Sequence, residues 1–262
     1  MELPDILHNR RAPIAHCGTE ADFLSGVTRE DTQQTSRALG KNIVRTPLLP
    51  HAAPGNDRSI FLKPENLQPA DRSRYVVHSM RFPTLRPLSY RRGVHGKHWE
   101  FRTGLHAGGA CTPGRREGLC HENRLAKQNC GASRVGCESR RNQFRKMWAI
   151  LCGEKPVDGN GTFLHPCSGR DVIVGNATIG QEILEDLPEV DAILVPFGGG
   201  GLVLGIALAC ARSGSLADVY ACGTEAATPL RSALAAGGPV TVPVDANSFV
   251  TSIGVSTVLE SN

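Results

Sequence analysis

VDAILVPFGGGGLVLGIALA, Val190 to Ala209, decides how the rest of the chain is read. Asp191 to Phe197 is apolar at both alternating phases, the pattern of a strand covered by helices on each side. Gly198 to Gly201 turn the chain. LVLGIALACARSG then supplies a helix of small and aliphatic residues, and VYACGTE, Val219 to Glu225, gives the next buried strand. Strand, helix and strand in that order make a βαβ unit, whose crossover is almost always right-handed. The fold class is therefore α/β, a parallel sheet with helices on both faces. Just upstream, GTFLHPCSGRDVIVGNATIGQEILEDLP ends in a helix with Ile179, Ile183, Leu184 and Leu187 on one face, and Pro188 stops it.

The glycine run carries the chemistry this unit suggests. Glycines between a buried strand and a helix leave backbone N–H groups open at the carboxyl edge of the sheet, where no side chain obstructs a tetrahedral anion. The helix N-terminus adds partial positive charge. A phosphate held there gains charge-assisted hydrogen bonds of roughly 1.5–3 kcal/mol each. A tight turn with close helix packing explains the same glycines equally well. The loop lacks the lysine and hydroxyl of a nucleotide P-loop and the spacing of a dinucleotide fingerprint, which favours a small phosphorylated cofactor.

The 262 residues suffice for one large or two modest domains, and 40% hydrophobic with 21% charged residues is a globular composition. No apolar run approaches the roughly 18 residues of a membrane span, so no membrane partner is expected. MELPDILHNRRAPIAHCG has no apolar core behind its basic residues, which points to a cytoplasmic protein with its nine cysteines reduced.

The net charge of +4 conceals a split. Residues 71–150 hold 14 Arg and 3 Lys against 5 acidic residues, a local +12, and the remainder of the chain carries −8. Ile, Leu, Val and Phe number 13 in those 80 residues, below the ~20% needed to bury a core. The first 70 residues read as ordinary α/β sequence. Thr28 to Leu39 is a polar helix, IVRTPLLP an extended turn bracketed by Pro47 and Pro50, and Ser59 to Lys63 (SIFLK) a short strand closed by Pro64.

Five stretches, in order, resemble the threonine dehydratase and serine racemase branch of pyridoxal-phosphate enzymes, of fold type II. They are RTPLLP (Arg45 to Pro50), IFLKPENLQPA (Ile60 to Ala70), TFLHP with VIVGNATIGQEI (Thr162 to Pro166, Val172 to Ile183), the opening stretch, and GTEAATPLRSALAAGGPV. Together they span about two-thirds of the chain. The resemblance implies a two-domain fold, pyridoxal 5'-phosphate as cofactor and a hydroxy amino acid as substrate. It also implies a phosphate cup formed by Gly198, Gly199, Gly200, Gly201 and the backbone of Leu202. The family reaction is β-elimination of water from threonine or serine, giving a 2-oxo acid and ammonia, with the cofactor as electron sink.

The resemblance breaks where that chemistry is centred. In the family ENLQPA runs into GSFKIRGA, whose lysine forms the Schiff base; here it runs into DRSRYVVHSM. No lysine stands between Lys63 and Lys97, and Lys63 lies before the matching position. Arginine cannot offer a neutral amine, so no catalytic residue is assigned and an inactive homologue is expected.

The codons suggest a cause. Ala-Asp-Arg-Ser-Arg-Tyr (Ala70 to Tyr75) can be written GCG GAT CGT TCA AGA TAC, and reading from the last base of the first codon yields GSFKI. GVHGKHWEFRTG, read one base along, permits a near match to the family's SAGNHAQG, with Trp99 forcing a glycine where one is needed. Residues 71–150 therefore read as an out-of-frame, poorly ordered segment. The expected division is 1–50 as lead-in of the large domain, 51–70 as start of the small domain, and 151–262 as the truncated remainder of the large, cofactor-binding domain.

Other constellations are weaker. Cys111, Cys120, His121, Cys130 and Cys137 show no zinc-knuckle spacing. His95, His98 and His106 have no organised carboxylate. Where some relatives take divalent-cation ligands, Glu225 is followed six residues on by Arg231, so no metal is expected. The arginines, among them Arg72, Arg74, Arg91, Arg92, Arg115, Arg116, Arg140 and Arg141, offer the runner-up, a non-catalytic basic nucleic-acid-binding module on a degenerate α/β domain. Sparse aromatics leave it without a stacking platform, so nucleic acid is the less favoured partner. HPCSG departs from the family's HPFD-like element, which reads as loop drift.

Overall fold

A computed structural model describes residues 25–39, 43–52, 59–67, 109–112, 115–121, 137–142, 144–153, 162–163, 165, 167–245, 247–250 and 253–259. In chain order the elements are α1 (Arg29–Leu39), β1 (Leu49–His51), β2 (Ile60–Leu62), a 3-10 turn (Glu65–Leu67), β3 (Gly109–Thr112), β4 (Arg115–His121), β5 (Cys137–Asn142) and α2 (Phe144–Leu151). They continue with β6 (Thr162–Phe163), α3 (Arg170–Asp186), β7 (Ala192–Pro196), α4 (Gly201–Ser213), β8 (Asp218–Cys222) and α5 (Pro229–Ala236).

The expected βαβ unit is present: β7 and β8 pair in parallel, Ala192 against Asp218 through Pro196 against Cys222, with α4 between them in sequence. β1 and β2 form an antiparallel pair. A four-stranded sheet has the order β5-β4-β3-β6, with β4 and β5 parallel and the other pairs antiparallel. Strands β3, β4 and β5 lie inside residues 71–150, and α2 begins there. His95, His98, His106, Arg72, Arg74, Arg91 and Arg92 lie outside the described residues.

α1 is mostly polar and begins on a reciprocal cap. The Asp31 amide donates to Thr28 Oγ1 at 3.1 Å, and the Thr28 amide donates to Asp31 Oδ2 at 2.7 Å. That backbone hydrogen bond from Thr28 holds the Asp31 carboxyl below its usual range. The buried face of α1 is Thr32, Thr35 and Leu39, packed towards α3 and α4.

The two long helices fix the frame. A Cβ on Gly201 would stand 3.4 Å from Val172 Cγ1, one on Gly205 2.6 Å from Asn176 Cβ, and one on Gly180 2.7 Å from Ala209 Cβ. These contacts advance four residues at a time along both helices, so α3 and α4 run parallel and both N-termini open at the same edge. Their shared core is Ile173, Val174, Ala177, Leu208 and Ala209, with Val27 beside it. At Gly205 the obstruction includes backbone, the Ala177 nitrogen at 2.8 Å, which cannot swing aside. Gly205→Ala is expected to cost about 1–3 kcal/mol in urea unfolding, as overpacked sites do; an unchanged midpoint would show that the helices separate freely.

α3 and α4 cover β7 from one side. Ile179 and Ile183 of α3 and Ile206 and Cys210 of α4 pack on Ile193 and Val195. The alternation predicts cover on each side of this strand, yet Leu194, on its opposite face, is 70% exposed. Both neighbouring helices sit on the Ile193 side, and β8 is the strand that pairs with β7 among the described residues.

Candidate functional site

The glycine loop links β7 to α4 at the edge where α3 also begins. Gly198 and Gly199 form the turn, Gly200 is the N-cap of α4 with φ 90°, and Gly201 and Leu202 open the helix. Only glycine adopts that φ without strain, a cost of about 1–2 kcal/mol for other residues. No side chain caps α4. The N–H groups of its first turn are thus the donors that a helix leaves without intrahelical partners. Leu202 turns its side chain into the apolar cluster around Ile183 and Ile193, so only its backbone faces the loop's chemistry.

The segment before α3 closes the other wall. A Cβ on Gly199 would meet Cys167 Sγ at 2.4 Å, and one on Gly201 would meet the Cys167 carbonyl oxygen at 2.4 Å. Close approach of Cys167 thus accounts for glycine at 199 and 201, and backbone conformation accounts for it at 200. The departure HPCSG, which reads as loop drift in the sequence, supplies that contact. Gly199→Ala is expected to lose about 1–3 kcal/mol of stability. Adding Cys167→Gly should restore most of it, because the two nearest obstructing atoms are Cys167 side-chain atoms; simple additivity in the double variant would contradict the contact.

His165 organises this segment. Its Nδ1 accepts from the Cys167 amide at 3.1 Å and the Ser168 amide at 2.9 Å, and its Nε2 lies 3.0 Å from the Leu151 carbonyl oxygen. Burial pushes its pKa below the usual histidine value. The α3 N-cap is Gly169, with φ 98° and no side-chain cap. Two uncapped helix N-termini therefore lie side by side.

A second cluster lies at the other end of the resemblance. Lys63 Nζ donates to Glu182 Oε2 at 2.6 Å and to the Thr46 carbonyl at 2.6 Å, and both charged side chains are 8% exposed. Thr46 Oγ1 in turn donates to Glu65 Oε1 at 2.6 Å. Arg45 pairs with Glu185 and Asp186 on the surface, a clamp of small energetic weight. These contacts fasten the β1–β2 segment to α3. Sequence reasoning passed over them, although Glu182 stands three residues after Ile179 on the apolar face of its helix, a position where a carboxylate needs a buried partner.

Residues 111–262, more than half of the chain, match the family described as pyridoxal-phosphate dependent enzyme. The chain belongs to that family. The cofactor of that family is pyridoxal 5'-phosphate. An L-threonine ammonia-lyase from Thermotoga maritima is 29% identical over 195 residues, which is 70% of this chain and 47% of the relative. Serine racemase from Mus musculus is 38% identical over 98 residues, 37% of this chain and 28% of the relative. The chain spans about half the length, or less, of the curated relatives it matches. Serine racemase from Dictyostelium discoideum has a similar fold, with TM-score 0.62, 18% identity, and coverage of 90% of this chain and 76% of that one. A fungal L-serine ammonia-lyase from Rhizomucor miehei gives 0.61 and 19%, covering 83% and 71%.

The phosphate arm of the cofactor fits the residues present. The glycine loop offers uncapped first-turn N–H groups beside a second helix N-terminus, in a contour that a Cβ at 199 or 201 would spoil. Lys63 is engaged with Glu182 and Thr46, and the stretch after ENLQPA, DRSRYVVHSM, lies outside the described residues. Among the described residues no group of three or more His, Cys, Asp or Glu side chains could hold a metal.

Proposed function

We propose that this chain is a homologue of the threonine and serine ammonia-lyases that keeps the phosphate cup and lacks turnover. The observation that carries the reading is the absence of lysine between Lys63 and Lys97, where the resemblance puts the Schiff-base amine. The cup is assigned to Gly198, Gly199, Gly200, Gly201 and the backbone of Leu202. Bound there, the cofactor would supply an electron sink for a hydroxy amino acid substrate. The chain's own contribution is limited to holding the phosphate by backbone N–H groups, while Lys63 serves as an internal cation for Glu182.

Residues 71–150 are assigned to out-of-frame translation within an ammonia-lyase-like gene. The charge split and the recoverable GSFKI support this, and the domain division at 50, 70 and 150 follows from it. The family match begins at residue 111, inside this segment, and strands occur between 109 and 142. The nucleotide sequence across codons 65 to 160 tests the assignment: one alternative frame should encode a GSFK-like stretch and the other, farther on, a GNFAQG-like stretch, so more than one base change is involved, and stop codons closing both frames there would refute it. Tight, salt-sensitive oligonucleotide binding would favour the basic-module reading instead.

A further inference from the structure

We propose that His165 is a positioning residue for the glycine loop: its imidazole gathers the Cys167 and Ser168 amides and thereby holds Cys167 against Gly199 and Gly201. The inference rests on the phosphate-cup reading only for its consequence, since the contacts themselves are independent of any ligand.

The chain makes this arrangement necessary. Gly169, at the N-cap of α3, has no side chain to receive amides at the helix entrance, and neither the amide of Cys167 nor that of Ser168 is within a helix. Nδ1 of His165 takes both, at 3.1 and 2.9 Å. A nitrogen accepting two N–H groups carries no proton, so the ring's hydrogen is on Nε2 and is donated to the Leu151 carbonyl, 3.0 Å away at the end of α2. One side chain thus links the end of α2, the segment before α3 and, through Cys167, the loop before α4. The apolar floor is continuous too: Cys152 and Cys167 both pack on the cluster of Trp148, Leu151, Val255 and Leu259.

The wall has no slack. With Cys167 atoms 2.4 Å from the Cβ positions of Gly199 and Gly201, withdrawal of the segment by an ångström would open a gap beside the N–H groups offered to a phosphate. Protonation at Nδ1 would set a third N–H against two donors and release the segment. Among the described residues the Cys152 and Cys167 thiols of the adjoining segments pack on the Trp148 cluster, and the causes acting on the His165 ring are burial, which lowers its pKa, and the Leu151 carbonyl, which raises it. Because the folded pKa lies below the unfolded one, the neutral-ring contribution is complete above about pH 6.5 and is lost as pH falls below it, down through the folded value.

Amide hydrogen exchange on the full chain tests this, with His165→Asn, whose Oδ1 accepts without titrating, and His165→Leu, which cannot accept. Protection at Cys167, Ser168 and Leu204, whose amide closes the first turn of α4 on the Gly200 carbonyl, should fall about tenfold or more in His165→Leu and return in His165→Asn. In the wild type it should decline below about pH 6.5, while His165→Asn stays level. Wild-type protection of Leu204 in His165→Leu, or the same pH profile in wild type and His165→Asn, would overturn the proposal. Should His165→Leu lose protection throughout α3 and α4, the wild type and His165→Asn still decide by their profiles. Inorganic sulfate, a dianion across this range, is the ligand probe. Its affinity should track the exchange pattern, whereas failure to bind the wild type with that pattern intact would sink the phosphate-cup reading and leave the role of His165 standing.

Discussion

Lys63→Met is expected to destabilise the chain by about 3–5 kcal/mol, the usual cost of removing one partner from a buried ion pair. Whole-domain stabilities are of order 5–15 kcal/mol, so this is a large fraction of what holds the molecule together. The reason is specific. Lys63 follows a three-residue strand, and its ammonium bridges Glu182 on α3 to the Thr46 carbonyl, at 2.6 Å each. With both side chains 8% exposed, the carboxylate left behind would face little water. Glu182→Leu should cost a similar amount, and Lys63→Met with Glu182→Leu together should recover most of the loss, because an apolar pair of like volume avoids the buried charges. Urea unfolding of the three variants measures this. Single variants within about 1 kcal/mol of the wild type, or additive losses in the double one, would mean that the pair is not coupled as its geometry indicates.

The βαβ unit could be read from sequence because its signals are local. An apolar run, four glycines and a second apolar run occur within about 35 residues, and the structure places the strand, loop, helix and strand within a residue or a few of their expected bounds. The same holds for Thr28 to Leu39, where a capping pair marks the helix start. The bare side of Leu194 was not legible, because periodicity reports that a residue is apolar and not whether anything covers it. The site was legible only in part. Glycines announce a loop, but the wall formed by Cys167 and the bracing by His165 depend on two segments about thirty residues apart meeting at an edge. Only the parallel packing of α3 on α4 brings them together. Lys63 and Glu182 lie 119 residues apart in the chain, beyond the reach of any local pattern.

The second large effect expected is an absence of turnover. With pyridoxal 5'-phosphate and threonine or serine supplied, 2-oxo acid and ammonia should form at no more than the rate of the free cofactor, short by the factor of about a million or more that enzymes commonly contribute. Proton transfer at the substrate's α-carbon calls for an amine that is neutral part of the time and next to the cofactor aldehyde. Arginines in the matching stretch stay charged at any working pH. Lys63, the nearest lysine in sequence, has its ammonium committed to a carboxylate and a carbonyl. Freeing it would expose the core to the penalty that Lys63→Met measures.

Borohydride reduction of the purified chain with pyridoxal 5'-phosphate, followed by mass mapping of its peptides, tests the central claim most directly. The expected result is cofactor that competes with inorganic phosphate for the protein yet leaves no stoichiometric pyridoxyl-lysine on any peptide. A single lysine modified in full, together with 2-oxobutyrate released from threonine, would contradict it.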